Sequence, residues 1–265
     1  MEKNLGGMCK AIRKDILHIS KASGHGHIPT CFSIVEILVA LYSTVRHDPK
    51  KPKWEERDLV VLSKGHGALA LYAVMARFGY FDIKDVEKFG SFKTIFGCHA
   101  NRLKVPGVEV STGSLGHGIG VAVGMALALK IKKSARQVYV VIGDGESNEG
   151  TVWEAVLAAE SQKLDNLTII YDDNRSHPRG LQITNPSEKF AAFGCSVSRV
   201  PGHDLNELSK AICSPNHGKP RVVVADTIKG CGSKTMMSDV YAWHRRSPSD
   251  AEYPILLKEI DEMAV

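Results

Sequence analysis

Four short apolar runs stand out along the chain: Leu59-Val60-Val61-Leu62, Val138-Tyr139-Val140-Val141-Ile142, Leu167-Thr168-Ile169-Ile170-Tyr171 and Arg221-Val222-Val223-Val224-Ala225. A weaker fifth is Ser196-Val197-Ser198-Arg199-Val200. They are rich in β-branched residues and lack strict polar–apolar alternation, the pattern of strands covered on both faces. Between them, apolar residues recur at helical spacing over about 4–20, 33–45, 68–79, 115–132, 149–163 and 204–213. This alternation predicts an α/β fold, a doubly wound, mostly parallel sheet flanked by helices. No internal repeat or Ser/Gly linker interrupts it. The expectation is a single domain over residues 1–265, with a C-terminal extension from about 235.

In such sheets ligands sit at the carboxyl ends of the strands. The informative segments are therefore the turns Ser63-Lys64-Gly65-His66-Gly67, Gly143-Asp144-Gly145-Glu146 and Asp172-Asp173-Asn174-Arg175-Ser176. All three are polar and two are rich in glycine.

Composition narrows the classes. At 265 residues, with 43% hydrophobic and 24% charged, the chain can bury a sizeable core. That excludes global disorder, a collagen-like repeat and a membrane bundle. The net charge of +5 comes from basic residues spread along the chain, without the aromatic interleaving of an RNA-binding sheet. A small anionic ligand accounts for the excess, and no nucleic acid is expected. The six cysteines form no Cys-x-x-Cys pair and no zinc pattern. The N-terminus lacks an apolar core like that of a signal peptide, and the longest small or apolar run, Ile119 to Leu129, is too short to span a bilayer. A reduced, cytoplasmic protein without a membrane partner is expected.

The turn Gly143-Asp144-Gly145 combines backbone N–H groups that can face an anion with a hard oxygen ligand. Such a turn suits Mg²⁺ carrying a diphosphate. Asn174 follows at the end of the next strand and can offer its carbonyl oxygen to the same metal, with the Ser176 backbone carbonyl as a third ligand. This Gly-Asp-Gly and Asn pair resembles the thiamine diphosphate motif. Further segments occur in the order found in transketolase: Ala22-Ser23-Gly24-His25, Leu62-Ser63-Lys64-Gly65-His66, Ser111-Thr112-Gly113-Ser114-Leu115-Gly116, Glu149-Gly150-Thr151-Val152-Trp153-Glu154-Ala155, Lys163-Leu164-Asp165-Asn166-Leu167 and Trp243-His244. The chain is similar to the N-terminal half of that family over roughly residues 5–250.

The resemblance implies a role for each matched residue. Asp144, Asn174 and Ser176 would hold Mg²⁺. His66, Gly143, Gly145, Glu146 and His244 would surround the diphosphate of thiamine diphosphate. The Gly113-Ser114-Leu115 loop would contact the aminopyrimidine ring. His25, His66, His99 and His244 would move protons among sugar oxygens, since a neutral imidazole both donates and accepts. Glu149 is counted among the cofactor-binding residues, and with Glu154 it matches carboxylates at the family's dimer interface. Only the diphosphate half is accommodated here, so the resemblance implies a partner: a C-terminal transketolase subunit carrying the pyrimidine-binding domain and its Glu, in an α2β2 assembly. The substrates would be sugars or sugar phosphates.

Departures from the family cluster around the expected site. His27 stands in place of a Gly, His117 in place of a Gln, and Arg245-Arg246 in place of Gly-Lys; the 175–190 segment is shortened and recast. They suggest a non-standard, more anionic ketose or acceptor, or drift without consequence. Two other readings use the same fold: a subunit of a 2-oxo-acid dehydrogenase or 1-deoxyxylulose-phosphate synthase type, and a non-catalytic binding homologue.

Overall fold

The computed structural model describes residues 4–175, 181–216 and 218–263. Five strands form one fully parallel sheet: β1 (Leu59–Leu62), β2 (Val138–Gly143), β3 (Leu167–Asp173), β4 (Ser196–Pro201) and β5 (Arg221–Asp226), in the spatial order β1-β2-β3-β5-β4. All five anticipated strands are present. Among the described residues the helices are α1 (Leu5–Ser23), α2 (Ile28–Ser33), α3 (Val35–Thr44), α4 (Ala68–Arg77), α5 (Ile83–Val86), α6 (His117–Ile131), α7 (Gly150–Ser161), α8 (Pro186–Ala192), α9 (Leu205–Cys213), α10 (Lys234–Ser238) and α11 (Glu252–Asp261).

β1, β2, β3 and β5 read as unbroken apolar runs because each sends alternate side chains into a different core, while the edge strand β4 is only partly buried. Val60, Leu62, Val141, Ile170 and Val223 pack with α1, α3, α4 and α9. Leu59, Val61, Val140, Ile142, Ile169 and Val224 pack with α6 and α7 on the opposite face. Leu256 and Ile260 of α11 are fully buried in the first of these layers, and α11 lies along α1.

Local signals fix where the chain enters the site. Asn4 caps α1, its side chain accepting from the Gly7 N–H at 2.8 Å. Gly24 ends α1 in the left-handed region, φ 73°, its N–H donating to the Ser20 carbonyl at 2.9 Å. The chain then crosses the carboxyl ends of the strands through His25-Gly26-His27 and enters α2, whose second residue is Pro29.

Candidate functional site

A cleft of about 420 Å³ opens at the carboxyl edge of the sheet, within the size range of small-molecule sites. Of the residues singled out in the sequence, His66, Gly113, Leu115, Gly143, Asp144, Gly145, Glu146, Asn174 and His244 line it. His25 and His99 line an adjoining cavity of about 310 Å³, and His27 lines both. Ser114 and Glu149 are exposed and lie outside both cavities. Ser176 falls outside the described residues.

The metal-type pair is placed by strand register. β2 and β3 align Gly143 with Asp172, so Asp144 and Asn174 leave adjacent strand ends side by side. Asp144 Oδ1 accepts from the Gly145 N–H at 2.7 Å, which turns the chain into a short 3₁₀ turn. Asn174 is buried, and its Nδ2 donates to Asp172 Oδ2 at 2.7 Å and to Ser33 Oγ at 3.2 Å. Its Oδ1 is buried with no hydrogen-bond partner among the described residues. A buried carbonyl oxygen left without a donor is costly. Beside the Asp144 carboxylate, that oxygen suits a hard divalent cation, and the donor set therefore fits Mg²⁺.

Cationic groups form the opposite wall. Lys64 is 2% exposed and ion-paired with Asp172. Lys229 is 6% exposed, makes no ion pair among the described residues, and donates to His244 Nδ1 at 3.3 Å. Burial first, and then the nearby Lys64 charge, lower its pKa. Neither lysine was assigned a role from sequence, nor were Thr30 and Tyr241, which also line the cleft. The signal for Lys229 was available in the rule already applied to the other strands: it sits in the turn leaving β5, at the ligand edge of the sheet.

Three of the imidazoles, His66, His27 and His99, are held toward the neutral form. Burial, with the Lys64 charge second, pushes His66 down to about 2. Burial, then His244 and Arg245, pushes His27 down to about 4. Burial and Arg245 lower His99 as well. His27 meets His66 and His244 edge to face, with ring centroids 5.3 and 5.4 Å apart.

Glu146 braces the floor. Its carboxylate accepts from Ser63 Oγ at 2.5 Å, the Gly116 N–H at 2.9 Å and the Gly143 N–H at 3.2 Å. It thereby ties together the ends of β1 and β2 and the start of α6. Burial raises its pKa against these bonds. The loops after β1 and before α6 abut backbone to backbone: a Cβ on Gly65 would stand 2.6 Å from the Gly113 nitrogen, and Gly113 itself has φ 149°. Only glycine fits that approach.

Comparison with known proteins matches this arrangement. The family model described as transketolase, thiamine diphosphate binding domain, matches residues 6–245. The 6-deoxy-6-sulfo-D-fructose transketolase subunit of Clostridium sp. (strain MSTE9) is 40% identical over 238 residues, covering 87% of this chain and 86% of that protein. An apulose-4-phosphate transketolase subunit of Actinobacillus succinogenes is 40% identical over 262 residues, 96% of this chain and 94% of that protein. The transketolase structure from Campylobacter jejuni superposes with a TM-score of 0.88 at 27% identity over 97% of this chain. This chain spans only 42% of that longer one.

Proposed function

This chain belongs to the transketolase family through its thiamine diphosphate-binding domain, and we propose that it is the diphosphate-binding subunit of a two-subunit transketolase that moves a two-carbon ketol unit from a ketose to an aldose. One observation carries the reading. Among the described residues, the same cleft buries an ammonium that makes no ion pair, Lys229, and a carbonyl oxygen without a donor, Asn174 Oδ1. A magnesium diphosphate satisfies both at once. Retention of this pair argues against a binding homologue that has lost its cofactor. The cluster of His25, His66, His99 and His244 favours sugar chemistry over an oxo-acid dehydrogenase.

The chemistry that thiamine diphosphate supplies when bound is a nucleophilic carbon and an electron sink for breaking the bond beside a ketose carbonyl. Asp144, Asn174 and the backbone of Ser176 are assigned to Mg²⁺. His66, Gly145 and His244, joined by Lys64 and Lys229, would hold the diphosphate, and the Gly113-Ser114-Leu115 loop would contact the aminopyrimidine. His25, His66, His99 and His244 hold and move protons at the sugar oxygens, each step contributing about 10²–10⁴-fold. Neutral rings can do so at physiological pH, which is the state that burial imposes on His66.

The pyrimidine half is assigned to a C-terminal partner in an α2β2 assembly. Two similar proteins are themselves named as subunits, and each is covered by this chain over most of its length. The exposed face of α6 is small and apolar, through Gly120, Val121, Gly124 and Ala128, and Leu157 of α7 is likewise exposed. Such a surface suits a protein partner. Glu149 and Glu154, exposed at the start of α7, are assigned to the same interface. Residues 1–265 act as one domain in this reading, the segment from about 235 being its C-terminal extension. No described helix is long and apolar enough to cross a membrane, and a cytoplasmic location is proposed.

The test is ketol transfer with thiamine diphosphate and Mg²⁺ across several ketose donors, by the chain alone and after adding a pyrimidine-domain partner. Activity is expected only in the mixture. Robust turnover by the chain alone would overturn the two-subunit reading. No transfer from any ketose by the mixture would overturn the transketolase reading.

A further inference from the structure

The adjacent arginines Arg245 and Arg246 have different fates. Arg246 is committed: its guanidinium pairs with Glu252 at 2.7 and 2.9 Å and stacks over the Trp243 ring, 3.5 Å from the centroid. Trp243 is buried at 2% exposure, so this stack pins the turn that carries His244 and Arg245. Arg245 is exposed and has no carboxylate partner among the described residues. It lines the cavity of about 310 Å³ together with His25, His27, Cys98 and His99. No acid lines that cavity among the described residues. His27 is the shared wall between it and the cofactor cleft.

We infer that Arg245 is a specificity-determining residue that reads a terminal oxyanion, phosphate or sulfonate, on the sugar substrate. The inference rests on the ketol-transfer reading above and deepens it. A sugar whose carbonyl reacts in the cofactor cleft must extend past His27, and the adjoining cavity receives its far end. The rings of His25 and His99 offer hydrogen-bonding nitrogens to hydroxyl groups along that path. A guanidinium at its end presents paired N–H donors to a tetrahedral oxyanion. A hydroxyl would leave the guanidinium charge without a counter-charge. The Arg245 charge already acts on this cavity, since it contributes, after burial, to the lowered pKa values of His99 and His27.

The experiment has two arms. The first compares fructose, fructose 6-phosphate and 6-deoxy-6-sulfofructose as donors to glycolaldehyde, a neutral acceptor, using the complex with its pyrimidine-domain partner. Arg245→Gln is expected to lower kcat/KM for fructose 6-phosphate about ten- to hundredfold more than for fructose, mainly through KM. Arg245→Lys should fall between the two. A selective loss on the sulfonate instead of the phosphate supports the same inference and names sulfonate as the group read. Equal losses on charged and neutral donors, or none, overturn it. The second arm titrates inorganic phosphate into the full chain alone and follows the histidine ring resonances by NMR. His25 and His99 are expected to shift in the wild type and not in Arg245→Gln. Unshifted wild-type resonances overturn the anion site regardless of activity. Phosphate shifts without ketol transfer from any sugar overturn the substrate assignment together with the reading on which it rests.

Discussion

The Lys64 ammonium at the end of β1 and the Asp172 carboxylate at the end of β3 form an ion pair across the intervening strand, with side chains only 2% and 0% exposed. Asp172 also accepts from Ser33 at 2.9 Å, from Asn174 at 2.7 Å and from Thr227 in the turn after β5. One carboxylate thus fixes α2 and three strand ends around the cleft. Removing it strands a buried ammonium. Asp172→Ala is expected to cost about 3–5 kcal/mol in urea unfolding. A loss under about 1 kcal/mol would make the pair equivalent to one on the surface.

Asp144→Ala should leave the chain folded and abolish Mg²⁺-dependent binding of thiamine diphosphate. The side chain is only part-buried and its hydrogen bond to the Gly145 N–H is local, so its loss opens no core. Calorimetric titration with the pyrimidine-domain partner present measures the effect, and wild-type treated with a chelator provides the matching control. Unchanged affinity would remove Asp144 from the metal site.

His66→Ala and His99→Ala are expected to fold and still bind cofactor, His66→Ala more weakly because it loses a diphosphate contact, and to lose about 10²–10⁴-fold in kcat. The two rings occupy different cavities, so His99→Ala should in addition raise the KM of the sugar. Wild-type kcat in both variants would identify these as structural histidines.

Acid sensitivity follows from the depressed imidazoles. His66 and His27 are pushed down to about 2 and about 4 in the folded chain, while an unfolded histidine titrates near about 6.5. Between those values the unfolded state binds more protons, so each group makes stability fall as pH drops from about 6.5 toward its folded value. Above about 6.5 neither contributes a slope. Urea midpoints of the isolated chain at pH 7, 6 and 5 should decline, and His66→Gln should flatten the decline. An unaltered slope in that variant would mean that His66 is solvated.

Four strands were legible because burial on both faces writes itself as an uninterrupted apolar run, whereas the edge strand β4, only partly buried and carrying Ser196, Ser198 and Arg199, gave a weaker one. The long helices α1, α3, α4, α6, α7 and α9 were legible through their period. α2 was not: all six of its residues are buried, so it has no polar face to set a period. α11 carries Pro254, which reads as a breaker, yet it is the third residue of the helix, where no intrahelical partner is lost. Within the cleft, the glycine-rich turns announced themselves. Lys229 lies in the turn leaving β5, which marks it as a ligand-edge residue, but only the sheet order, which seats β5 beside β3, brings that turn against Asn174. Sequence order alone gives no reason to place the last strand next to the third.

The contact between Gly65 and Gly113 has no room for a methyl group. The two loops it joins therefore cannot be reshaped one side chain at a time, and they keep a fixed spacing between the His66 turn and the Gly113-Ser114-Leu115 loop. Adaptation to a new sugar is expected instead at side chains that line the adjoining cavity, such as His27 and the exposed Arg245. A cleft built this way separates what is chemically general from what is selective: a rigid base retains the reaction, while a tolerant rim can exchange one cargo for another.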